Sequence, residues 1–169
     1  ADLAIIGASA AAGQRGPSPL AGIMAVHGKT PIMVVPGHAK GFRPDGPAML
    51  CWNGSLEASR ALRAALPLLQ RASAVHLVSV SEKHPDERFD VPALTGAQYL
   101  DRHGVACEVV EIERGTGKVD ALLREAAKAR GAGLMVMGAY GHTRLVETLF
   151  GGVTRAMLSE PDLPILLAH

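Results

Sequence analysis

From residue 48 to residue 168 the sequence alternates short apolar runs with amphipathic segments, and this alternation constrains the fold more than any other feature. Residues 48–52 read as a buried strand. Asn53-Gly54-Ser55 then turns the chain into a helix over residues 56–72, with Ser55 placed to cap it. Leu62, Leu66 and Leu69 recur there at helical spacing. Strands are expected at 75–80, 106–113, 134–137 and 165–168, and helices at 91–103, 118–129 and 145–158. Strands that alternate with helices require right-handed crossovers, hence a mainly parallel sheet covered on both faces. The expectation is an α/β three-layer sandwich on a five-stranded parallel sheet.

The residues before 48 repeat part of this pattern. Ala1-Asp2-Leu3-Ala4-Ile5-Ile6-Gly7-Ala8 parallels Ala132-Gly133-Leu134-Met135-Val136-Met137-Gly138-Ala139, and Pro31-Ile32-Met33-Val34-Val35 parallels Pro164-Ile165-Leu166-Leu167-Ala168. Residues 1–36 are therefore expected to be the closing strand–helix–strand of a preceding copy. Residues 37–47, rich in glycine and proline, read as a linker, and residues 48–169 as a complete domain. Half of such a domain cannot bury both faces by itself, so two tandem copies are expected, the first only partly present.

Charge and apolar patterning exclude several function classes. Seventeen basic and sixteen acidic residues leave a net charge of +1, which supplies no footprint for nucleic acid. No apolar run approaches the ~20 residues of a membrane helix, and the chain does not open with a basic-then-apolar leader. Cys51 and Cys107 sit inside strand-like runs and read as buried free thiols, so a cytoplasmic protein is expected.

The strongest local signal is Gly138-Ala139-Tyr140-Gly141, then nine residues, then Gly151-Gly152-Val153-Thr154. It follows a buried strand and leads into a helix. Glycines there let backbone N–H groups turn toward an anion, and a helix N-terminus adds donors and partial positive charge. On spacing alone, phosphate binding and a ligand-free strand-to-helix turn stand equally open.

Met137-Gly138-Ala139-Tyr140-Gly141-His142 with Gly151-Gly152-Val153-Thr154-Arg155 resembles the Gly-x2-Gly-x9-Gly-Ser/Thr signature of ATP-binding universal stress proteins. Trp52-Asn53-Gly54-Ser55 resembles that family's strand-one turn, usually Asp-Gly-Ser. The similarity covers residues 48–169 in order, and residues 1–36 as a partial copy. It implies a flavodoxin-like, adenine nucleotide alpha hydrolase-like fold with strand order 3-2-1-4-5. It implies an adenine nucleotide, ATP or AMP with Mg2+, between strands one and four. Asn53 and Ser79 would line the nucleoside side and Gly138, Gly141, Gly151, Gly152 and Thr154 would cradle the phosphates, with Gly54, Ser55 and Val153 also in the nucleotide site; His142, inside the signature, reads as a solvated loop residue or as a phosphate contact. It further implies a homodimer or an intramolecular pseudo-dimer through strand five, at Ile165, Leu166 and Leu167, expected at the sheet edge.

Two positions depart from the family pattern. Gly152 stands where the signature has a hydroxyl, with Thr154 two residues on as a substitute donor, and Asn53 stands where the family has Asp. Each change costs about 1 kcal/mol, the net worth of one hydrogen bond, or roughly tenfold in affinity. A nucleotide-free dimerisation or interaction module of the same fold is the alternative. An enzyme is the third reading: a pyrophosphatase loop after strand one would need a further glycine and an Asp that Asn53-Gly54-Ser55-Leu56-Glu57 lacks, which leaves slow ATP hydrolysis.

Other signals lead nowhere. Gly28-Lys29-Thr30 lacks the earlier glycine of a phosphate loop and precedes a strand. The seven histidines show no metal-ligand spacing, there is no Gly-x-Ser-x-Gly elbow, and no carboxylate pair reads as an acid/base couple.

Overall fold

A computed structural model describes residues 2–8, 12–13, 16–17, 24, 29–39, 42–81, 93–139 and 152–169. Its centre is a sheet built in chain order from β1 (Ala4–Gly7), β4 (Ile32–Val35), β5 (Ala48–Cys51), β6 (Val75–Ser81), β7 (Glu108–Glu113), β8 (Leu134–Gly138) and β9 (Ile165–Ala168). Two short strands, β2 (Ala12–Gly13) and β3 (Gly16–Pro17), pair with each other apart from it. Among the described residues the helices are α1 (Leu56–Leu69), α2 (Ala93–Arg102), α3 (Val119–Ala129) and α4 (Gly152–Ser159).

The sheet runs β1-β4-β9-β8-β5-β6-β7. Within it β7-β6-β5-β8-β9 is parallel throughout and reproduces the order 3-2-1-4-5. The sheet is larger than expected, with seven strands instead of five. β4 joins β9 antiparallel, with Ile32 opposite Leu167, Met33 opposite Leu166 and Val34 opposite Ile165. β1 joins β4 parallel. β9 is thus an interior strand and not the expected edge. All four of its residues are buried, because β4 satisfies the backbone groups and covers the apolar side chains that a free edge would expose.

Side-chain alternation sorts these strands into two cores. Met49, Val78, Met135, Met137, Ile165 and Leu167 face one side, against Leu123, Ala126 and Ala127 of α3 and Met157 and Leu158 of α4. Leu50, Leu77, Leu134, Val136 and Leu166 face the other, against α1 and Leu100 of α2. The buried stripe of α1 is Ala58, Ala61, Leu62, Ala65 and Leu69; its small residues let the helix lie close to the sheet. The rims differ in finish. β7 carries exposed Glu108, Glu111 and Glu113, charges that discourage further pairing, whereas Ile5 of β1 is 66% exposed.

Helix boundaries shift modestly from expectation. α1 stops at Leu69, two residues beyond Pro67, which has no N–H to give to the Arg63 carbonyl one turn earlier. α2 runs from Ala93 to Arg102 and α4 from Gly152 to Ser159. The earlier part of the expected 145–158 helix lies outside the described residues.

Candidate functional site

β5 lies between β6 and β8, and the chain crosses from one side of it to the other. In an open parallel sheet such a reversal leaves a crevice beyond the carboxyl ends of the two strands. Cys51 of β5 is opposite Met137 of β8, so the Trp52–Ser55 and Gly138–Ala139 segments leave the sheet side by side.

Local hydrogen bonds shape the first turn. Asn53 Oδ1 accepts the Ser55 N–H at 3.2 Å. Gly54 has φ +75°, a left-handed conformation that favours glycine. Ser55 Oγ then accepts the Ala58 N–H at 3.1 Å and caps α1, and the Ser59 hydroxyl donates to the Ser55 carbonyl at 3.1 Å. The capping expected of Ser55 is present.

Gly138 serves a packing purpose that the spacing did not disclose. A Cβ added there would stand 2.5 Å from the Ala58 nitrogen and 2.7 Å from the Glu57 carbonyl carbon. The absent side chain lets the first turn of α1 sit directly on the end of β8. Beyond it, Ala139 N–H donates to the Ala168 carbonyl at 2.8 Å. The Ala139 carbonyl accepts from His169 Nδ1 at 2.9 Å. His169 is a residue that the sequence does not single out, since a solitary histidine after a strand carries no motif.

Ser79 lies in β6 next to β5; it is buried, with its hydroxyl 3.5 Å from the Val110 carbonyl. Gly152 opens α4 with no described residue within 4 Å of a would-be Cβ. Val153 is half-buried and Thr154 is buried, 5% exposed. Gly141, His142 and Gly151 lie outside the described residues.

Cys51 closes β5, the strand that leads into the Asn53–Ser55 turn. Burial pushes Cys51 up to about 12, so it stays protonated at neutral pH. Cys107 is also raised, by burial first and by the nearby Asp101 second. Among the described residues no cluster of three His, Cys, Asp or Glu side chains is arranged to hold a metal ion, and no helix is long and apolar enough to cross a membrane.

Comparison with known proteins decides the lineage. The profile of the universal stress protein family matches residues 47–169. The chain belongs to the universal stress protein family. No curated protein matches it. Among solved structures, a protein of this universal stress family from Burkholderia pseudomallei superimposes with TM-score 0.53 at 24% identity, over 75% of this chain and 98% of that one. A universal stress protein from Archaeoglobus fulgidus gives TM-score 0.63 at 16% identity over 99% of this chain, which spans 60% of that protein's length. A universal stress protein solved in complex with cAMP gives TM-score 0.51 at 16% identity, over 73% of this chain and 97% of that one. At these identities the likeness establishes a shared fold.

Proposed function

We propose that this universal stress protein binds an adenine nucleotide in the crevice beyond β5 and β8, and that nucleotide occupancy serves a regulatory role in stress response without dedicated catalysis. The observation that carries the reading is the convergence of the Asn53–Ser55 turn and Gly138 at the point where strand order reverses. The cAMP complex of a structural relative supports the ligand class. ATP or AMP, with Mg2+ on the phosphates, is the preferred ligand; Thr154 supplies the hydroxyl that Gly152 lacks. The same reading takes the protein to be cytoplasmic, and residues 1–36 to be part of a first repeat. The antiparallel β4–β9 pair is then an intramolecular pseudo-dimer through strand five.

A second reading, a nucleotide-free interaction module, rests on a specific observation. Asn53 Oδ1 and Ser55 Oγ already hold the turn and cap, and Gly138 is needed for packing. Local folding alone accounts for these three residues.

The experiment is to purify the protein, denature it and identify any released nucleotide by chromatography and mass spectrometry, then titrate ATP, AMP and cAMP by calorimetry. A stoichiometric adenine nucleotide in either arm establishes the first reading. No binding in both arms establishes the second. Phosphate release above a mock-purified blank would add slow hydrolysis.

A further inference from the structure

We infer that the cleft at the end of the β4–β9 seam is a separate anion-binding site that takes a phosphate group. The cleft, of about 430 Å³, is lined by Lys29, Thr30, Pro31, Arg60, Ala168 and His169. Antiparallel pairing creates it: the approach to β4 meets the exit from β9 there, and α1 contributes Arg60. In the sheet it lies on the far side of β9 from the β5–β8 crevice.

The lining has the chemistry of an anion site. Lys29 and Arg60 bring positive charge, and none of the described side chains that line the cleft is acidic. Among the described residues neither cation enters an ion pair. Cations gathered on a concave surface raise the local concentration of anions. The guanidinium fork and the ammonium both match phosphate oxygens. A carbonyl can only accept, so His169 Nδ1 carries the proton it gives to Ala139, and that bond fixes the ring at the rim. A volume of this size also admits a small organic group attached to the phosphate.

Lys29 supplies an independent sign. Its φ of +49° makes it the sole non-glycine residue with positive φ among the described residues. An L-residue adopts that conformation at an energetic cost, and such strain concentrates where a side chain is held for a purpose. The strain sits on the residue that brings the ammonium to the cleft.

The test titrates inorganic phosphate into the wild-type chain and into Lys29→Gln, Arg60→Gln and Lys29→Gly, following heat and backbone amide shifts in phosphate-free buffer. Saturable binding is expected, with shifts at Thr30 and His169, weakened at least tenfold in each variant. Lys29→Gly should melt no lower than wild type while losing affinity, which separates the ammonium from any role in folding. Absence of saturable binding overturns the inference. So does binding that both glutamine variants leave unchanged, or shifts confined to the Asn53–Ser55 turn. Nucleotide binding at the β5–β8 crevice is measured separately, and its success or failure leaves this result intact.

Discussion

Gly138 and Ala58 approach so closely that a methyl group on Gly138 would stand 2.5 Å from the Ala58 nitrogen. The obstacle is backbone, which cannot rotate away as a side-chain tip can. A Gly138→Ala variant should therefore lose about 1–3 kcal/mol of stability, the usual cost of overpacking. Urea unfolding measures it, and an unchanged midpoint would refute the close approach. Reduced nucleotide binding in this variant would not implicate Gly138 in holding phosphate, because displacement of α1 would produce the same loss.

Gly152 poses the opposite case. No described residue lies within 4 Å of a Cβ there, so Gly152→Ser restores the family hydroxyl without collision with any of them. Removal of glycine's backbone freedom from the unfolded chain should stabilise the fold by about 0.4–1 kcal/mol. If the proposed phosphate site is correct, affinity for ATP should rise up to roughly tenfold, one hydrogen bond's worth. Calorimetry that finds ATP bound equally by both proteins would remove position 152 from the phosphate contacts.

Ser55 caps α1 through its hydroxyl. Ser55→Ala leaves the Ala58 N–H without that acceptor and should cost about 0.5–2 kcal/mol. Loss of stability with a Ser55→Asp variant close to wild type would identify capping as the cause. A Ser55→Ala protein that melts with wild type would deny it.

The Cys51 thiol gives the fold a defined alkaline weakness. Its value rises from an ordinary 9.0 to about 12 on folding, so the neutral thiol is the form the native state retains. Its contribution is whole below pH 9 and fades as pH climbs from 9 toward 12, because the unfolded chain gains by ionising. The loss amounts to about 1.4 kcal/mol for each pH unit in that window. Unfolding at pH 8 and pH 10 should show a smaller decline for Cys51→Ala than for wild type; equal declines would contradict the assignment. Iodoacetamide at pH 8 should likewise modify Cys51 slowly until the protein unfolds.

What could be read in advance follows from how far each feature reaches along the chain. The five-strand order, the Asn53-Gly54-Ser55 turn and the Ser55 cap are local or repeat in a regular βα rhythm, and each has the form expected from residues 48–169. The pairing of β4 with β9 joins segments near opposite ends of the chain, and no periodicity records such a partnership. It turned an expected edge strand into an interior one. Gly138 was noticed for the right reason of being glycine, yet the neighbour that demands it, Ala58, comes from a helix eighty residues earlier. Lys29, Arg60 and His169 belong to three separate segments and to no motif, so only the folded chain brings them to one cleft.

The β4–β9 pair also sets an order of events. β4 is made well before β9, so Ile32, Met33 and Val34 must wait through synthesis of the intervening residues before their partners exist. Contacts of such separation form late and slowly. Until then the apolar strand β4 has an open edge, which favours pairing with a similar strand on a neighbouring nascent chain. A seam closed this late exposes the chain to mispairing for longer than its parallel neighbours, so translation speed and chaperone access should bear on the yield of folded protein.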